Sequence, residues 1–211
     1  HNPADLIYLM GGRERFIANL DQTLRTPLSK SKWEFYSQLP DQTGNVGQFA
    51  MSNEPSMHIP YLYTYAGAPW RTQRLVRKLI DTWFRNDLMG VPGDEDGGGL
   101  SAFVVFSMMG IYPVTPGLPV YVIGTPFFEK VTLQLSSGRS FVIEAKGASS
   151  VNKYIQRAEL NGKPLDRAWL RHSELASGGR LVFVMGDKPN KEWGAKLPPP
   201  SADKIDLKDE R

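Results

Sequence analysis

The chain has no cysteine, only three histidines and no apolar run long enough to span a bilayer. Without thiols there can be no disulfide, no thiolate metal site and no cysteine nucleophile, although compartment stays undecided because many periplasmic proteins also lack cysteine. Charge of one sign is missing too. The 25 Lys and Arg residues against 22 Asp and Glu leave a net charge of +3, with the signs interspersed rather than blocked. Neither nucleic acid nor an anionic membrane is implied by such a balance, so binding has to be argued from a site. The opening His1-Asn2-Pro3-Ala4-Asp5 has neither the charged nor the apolar region of a signal peptide, and it does not begin with Met. A processed or nicked chain, or one that opens inside a longer protein, is expected from such a start.

What is present is enough for a real core: 211 residues, 41% of them hydrophobic, suit one large domain or two small ones. Up to about Tyr112 the pattern is helical. Leu6, Ile7, Leu9 and Met10, then Phe16, Ile17, Leu20 and Leu24, recur at helical spacing, with Gly11-Gly12 as the break. Pro69 opens a longer amphipathic helix to about Asn86, with Leu75, Val76, Leu79, Ile80, Trp83 and Phe84 on one side. A third helix, about Gly98 to Met109, is apolar on nearly every face and should be buried among other helices. From Val120 the period changes to short β-rich runs, including Val131–Leu135, Phe141–Ala145 and Leu181–Val184, with Ser137-Gly138 and Asn161-Gly162 as hairpin turns. The expected architecture is α+β: helices and active-site loops over 1–115, an antiparallel β-region over 116–195 and a polar tail over 196–211. The few helices do not close a globule alone, which implies further helices from outside the chain.

Two segments are dense in chemistry. Asp94, Glu95 and Asp96 crowd between Gly93 and Gly97-Gly98-Gly99 at the mouth of the apolar helix. Their mutual repulsion is relieved by a cation, a shared proton or solvent. Two readings stand: a site, or a solvated acidic turn that caps the next helix. The second segment, Asn53 to Tyr65, holds Asn53, Glu54, His58, Tyr61, Tyr63 and Tyr65 on a loop shaped by Pro55 and Pro60. Packing is the favoured reading for His58 and for at least two of the three tyrosines, whereas Glu54, among apolar neighbours, needs a cation, a proton or a hydrogen-bonded ligand. Oxygen ligands without Cys favour a hard cation such as calcium over zinc, but the acidic loop lacks the EF-hand ligand series. A phosphate loop and a G-x-S-x-G elbow are also missing. Paired carboxylates remain, and they serve glycoside hydrolysis, the two groups standing roughly 6.5–9.5 Å apart in inverting enzymes. Trp70, Tyr61 and Tyr63 are the aromatic residues available to pack on a sugar.

The order of motifs then resembles glycoside hydrolase family 92, the calcium-dependent exo-α-mannosidases. The matching segments are Leu9-Met10-Gly11-Gly12-Arg13, Asn53 to Tyr63, Gly67-Ala68-Pro69-Trp70-Arg71-Thr72-Gln73, Gly90 to Asp96, Met108 to Val114 and Tyr121 to Gly124. The resemblance implies the C-terminal part of an (α/α)6 barrel catalytic domain followed by antiparallel strands, completed by the N-terminal portion of the same enzyme as a separate or missing chain. It implies an inverting hydrolysis of terminal α-mannosides on glycans, with α-1,2 linkage foremost, calcium as cofactor, and a periplasmic or secreted location. The general base maps to Asp96 with Asp94 as its close partner. The general acid belongs to a motif upstream of His1, so Glu54 falls to calcium or substrate contact first and to acid second. Asn53 and His58 are implied for sugar hydroxyls and Trp70 for packing near the pocket, while Met57 stands where the family often has a His or Gln. The alternative of another class is a non-catalytic carbohydrate-binding or structural module of the same fold.

Overall fold

The structure, a computed structural model, describes residues 2–28 and 44–201. The helical half holds α1 (Pro3–Leu9), α2 (Arg13–Thr23), the short α3 (Leu62–Tyr65), α4 (Pro69–Trp83) and α5 (Gly99–Met109). Helix α1 starts where Asn2 accepts the Asp5 N–H at 3.3 Å and Pro3 sits at the first helical position. Gly11 and Gly12 separate it from α2 as the sequence predicts, and Gly110, at φ 91°, closes α5 in the left-handed conformation. Helix α4 stops at Trp83 rather than about Asn86, because Phe84 turns to extended backbone.

The second half contains β3 (Ile111–Tyr112), β4 (Val120–Ile123), β5 (Lys130–Gln134), β6 (Ser140–Lys146), β7 (Tyr154–Leu160), β8 (Lys163–Pro164), β9 (Trp169–Arg171), α6 (His172–Ala176) and β10 (Gly179–Gly186); the pair β1 (Asn45–Val46) and β2 (Phe49–Ala50) lies earlier. The larger sheet has the order β5-β6-β10-β7-β8 and the smaller β3-β4-β9. Both expected hairpins form: Leu135 N–H reaches Arg139 across Ser137-Gly138, and Leu160 pairs Lys163 across Asn161-Gly162. The antiparallel expectation needs correction at one seam, since β10 runs parallel to β6 while antiparallel to β7. Strand β10 inserts between two strands adjacent in sequence, a choice of partner that neither periodicity nor turns encode. The short β9 and α6 were likewise absent from the sequence reading.

Two apolar cores result. One gathers Phe16, Tyr61, Val76, Leu79, Leu100 and Phe103 among the helices; the other gathers Ile123, Phe141, Ile155, Leu170, Leu181 and Phe183 between the sheets. Gln73, on α4 and only 1% exposed, joins them by accepting the Ile155 N–H of β7 at 3.1 Å. Helix α5 buries Leu100, Phe103 and Ser107, yet Ala102 and Val105 on its other side are exposed. The expected tail packs at its start: Ser201 is buried and its Oγ accepts the Ala4 N–H at 3.0 Å. Beyond it, residues 202–211 lie outside the described ones. Among the described residues no helix is long and apolar enough to cross a membrane.

The helices are also joined by charge. Arg71 Nη1 donates to both oxygens of Asp21 at 2.8 Å, and the Tyr63 hydroxyl donates to Oδ1 at 2.7 Å, so α2, α3 and α4 meet at one carboxylate. Burial works to raise the Asp21 pKa, but the bonds from Tyr63 and Arg71, with the charges of Arg71 and Arg25, outweigh it and hold the group below its ordinary 3.8. Its stabilising contribution is therefore full above pH 3.8 and is lost as pH falls through the depressed folded value. Denaturant unfolding should show Asp21→Asn destabilised by about 2 kcal/mol at neutral pH. The gap to the parent should close as pH falls below the folded value.

Candidate active site

The loop carrying Asn53, Glu54 and His58 is held from behind by buried hydroxyls. Thr72 donates to the Pro60 carbonyl at 2.9 Å and receives a bond from Thr64 at 2.9 Å. The Tyr61 hydroxyl meets Ser107 Oγ at 2.7 Å, and its ring stacks on Tyr112 with centroids 4.7 Å apart. Pro55 and Pro60 sit early in the 3-10 turns Glu54–Ser56 and Ile59–Tyr61, where a missing N–H costs no helical bond. The loop is thus fixed to α4 through Thr72 and to α5 through Ser107.

Those bonds consume the tyrosines. Tyr61, Tyr63 and Tyr65 are 0%, 3% and 5% exposed, so the packing reading favoured for at least two of them holds, and Tyr61 and Tyr63 do not offer ring faces to a sugar. Burial raises all three phenols, Tyr65 to about 12, and keeps them neutral.

Glu54 points the other way, toward the acidic loop. The residue is half-buried with Oε1 fully enclosed, and its side chain lies on Gly99, the first residue of α5. A Cβ added at Gly99 would stand 2.9 Å from Glu54 Cγ. Gly99 does not have a positive φ, so the position needs glycine for room rather than for backbone freedom. Two segments that the sequence shows only as separate constellations meet at this contact.

The acidic loop divides its labour. Glu95 caps α5, its Oε1 accepting the Ser101 N–H at 3.0 Å and its carbonyl accepting the Gly99 N–H at 3.1 Å. For this residue the capping reading holds. Asp94 and Asp96 are exposed, with no hydrogen-bond or ion-pair partner among the described residues. Asp96 also holds φ 45°, a left-handed backbone that costs a non-glycine residue roughly 1–2 kcal/mol. Its carboxylate stands exposed on an otherwise glycine-rich turn.

The remaining candidates scatter. His58 is exposed as a residue, but its ring lines a cleft of about 280 Å³ with Pro3, Leu62, Val114, Thr115 and Pro116. Partial burial lowers its pKa more than the bond to the Pro55 backbone raises it, so the ring is neutral near pH 7. Trp70 lies beneath cations: Arg71, Arg74 and Lys191 stand 4.8, 5.4 and 5.8 Å from its ring centroid. Among the described residues no three His, Asp or Glu side chains cluster to hold a metal ion. Calcium takes about six to eight oxygens, and Glu54 with Asn53 supplies at most three, so these residues do not complete a calcium site. Gly99, Ser107 and Thr72 were missed as positioning residues. Thr72 stood within the Gly67–Gln73 motif, but its role needed the fold.

Comparison with known proteins settles the kinship. The glycosyl hydrolase family 92 catalytic domain matches the chain over residues 1–187. The chain belongs to glycosyl hydrolase family 92. An uncharacterized secreted glycosidase of the fungus Arthroderma benhamiae is 35% identical over 197 residues, 92% of this chain but 23% of that protein. Among solved structures, a family 92 α-mannosidase of Bacteroides thetaiotaomicron in complex with mannoimidazole aligns with a TM-score of 0.83 and 32% identity, covering 90% of this chain and 25% of that one. A family 92 inverting mannosidase of the same organism aligns at 0.82 with 40% identity, covering 97% and 28%. The chain therefore spans about a quarter of the length of the relatives it matches. The family 92 match takes in the Glu54 loop, the acidic turn and both sheets.

The Glu54–Gly99 contact gives a prediction at this site. Gly99→Ala gains up to about 1 kcal/mol of helix propensity, yet its methyl displaces Glu54. In the intact enzyme kcat/KM should fall about tenfold or more, with stability unchanged or raised in a thermal melt.

Proposed function

We propose that this family 92 chain is the C-terminal part of an exo-acting, inverting α-mannosidase that removes terminal α-linked mannose, foremost α-1,2-linked, from glycans. The observation that carries the reading is the contact of the half-buried Glu54 with Gly99 at the start of α5, three residues after the exposed Asp96. The names of two aligned solved structures, an α-mannosidase and an inverting mannosidase, support the substrate class and the stereochemistry of this reading.

In this reading Asp96 is the general base. Its exposed carboxylate takes a proton from a water that attacks the anomeric carbon, and Asp94, two residues away, is its close partner. The general acid, which protonates the leaving oxygen, comes from outside this chain. Glu54 serves calcium or sugar contact, as one ligand of an ion whose remaining oxygens come from elsewhere. Asn53 and the neutral His58 bind sugar hydroxyls as hydrogen-bonding groups, not as charges. Trp70 supports the pocket wall through the cations on its ring. The exposed Ala102–Val105 side of α5 is covered by the N-terminal portion of the enzyme, which completes the barrel. The enzyme is secreted or periplasmic, in keeping with the description of the fungal relative.

The test is release of mannose from an α-1,2-linked mannobiose by the intact enzyme. Asp96→Asn should lower kcat by about 10²–10⁴-fold and leave mannoside binding within a few-fold. A chelator should abolish activity in the parent, and Glu54→Gln should shift the calcium needed for half-activity upward. Tight mannoside binding without turnover in the parent would favour the non-catalytic module instead.

A further inference from the structure

The cleft between α2 and α4 is lined by four cations, Arg25, Arg71, Arg74 and Lys78, and by one carboxylate, Asp21, an excess of three positive charges in a space of about 370 Å³. None of the residues at the Glu54–Gly99 junction lines it. We propose that this cleft is a binding site for a phosphate or sulfate group, an assignment that does not depend on the mannosidase reading.

The cations have unequal duties. Arg71 is committed to Asp21, to which its Nη1 gives two bonds of 2.8 Å, and Arg25 lies 3.2 Å from the same carboxylate. The Tyr63 hydroxyl adds a third donor to Asp21. That carboxylate is spent. Arg74 and Lys78 have no hydrogen-bond or ion-pair partner among the described residues, although the Arg74 guanidinium is steadied over the Trp70 ring at 5.4 Å. Residues 71, 74 and 78 fall on one face of α4, and like charges at the 74–78 spacing oppose the helix until an anion joins them.

The geometry suits a tetrahedral oxyanion. An arginine held on an aromatic ring presents its fork with little freedom left to lose, and guanidinium with ammonium is the donor pair that oxyanions of phosphorus and sulfur favour. Leu24, Val46 and Leu75 form an apolar wall beside the cations. The volume exceeds what an inorganic anion needs and leaves room for a sugar ring against that wall, so the group can arrive free or as a sugar ester.

The experiment is isothermal titration of the intact protein with inorganic phosphate, inorganic sulfate, glucose 6-phosphate and glucose, a hexose chosen because the proposed active site takes mannose. Binding of the anions and not of glucose is expected. The double variant Arg74→Gln/Lys78→Gln alters two exposed side chains, and a circular dichroism melt checks its fold; it should weaken the anions about tenfold or more. Equal affinity for phosphate and glucose 6-phosphate would assign the site to the free anion, and tighter binding of the ester would assign it to an anionic sugar. Absence of anion binding, or affinities unchanged in a folded double variant, would overturn the proposal whatever the mannosidase assay shows.

Discussion

The buried hydroxyl pair of Tyr61 and Ser107 ties the loop that carries Glu54 to the helix that begins at the acidic turn. Each such bond contributes only about 1 kcal/mol net, but leaving either buried oxygen without a partner costs about 1–3 kcal/mol. The pairing therefore acts more as a constraint than as a reservoir of stability. Once Tyr61 is seated against Ser107 and stacked on Tyr112, the turn before it has little freedom, and Glu54 is brought against the bare backbone of Gly99. The absence of a side chain at Gly99 leaves the room that Glu54 occupies.

Much of the framework was legible because it is written in local chemistry. The Gly11-Gly12 break, the amphipathic stripe of α4, the Gly110 stop and the two hairpin turns follow from spacing and from residues that tolerate left-handed backbone. The parallel seam of β6 and β10 was not legible, since the same β-rich runs serve either direction and the choice is made by packing between the sheets. The site shows the same division. Glu54, Asp94 and Asp96 stand out as residue types, but the contact of Glu54 with Gly99, next to the acidic turn, is an approach between segments distant in sequence. Glu95, identical in charge to its neighbours, became a cap only because its backbone and side chain face the first turn of α5. The tyrosines were readable as packing residues, since a phenol that could pack on a sugar also fills a core, but that the hydroxyl of Tyr61 meets Ser107 needed three dimensions.

The near-neutral charge balance of the chain conceals a local separation of signs. Asp94 and Asp96 lie exposed at the head of α5, whereas the face of α4 that looks on α2 carries Arg71, Arg74 and Lys78. The Asp21 cluster that locks the helices together also fixes Arg71 beside Arg74 and Lys78, so one ion pair contributes both to the fold and to the shape of the basic cleft. One side of α5 is open, and the chain matches only about a quarter of the length of its family 92 relatives.

The central claim is that Glu54 and the acidic turn form one site rather than two neighbouring features. The direct measurement is a double-mutant cycle in the intact enzyme, comparing kcat/KM for the parent, Glu54→Gln, Asp96→Asn and the pair. Residues acting on one sugar in one site should be strongly coupled, with the double variant little worse than the poorer single. Losses that simply multiply would contradict the account.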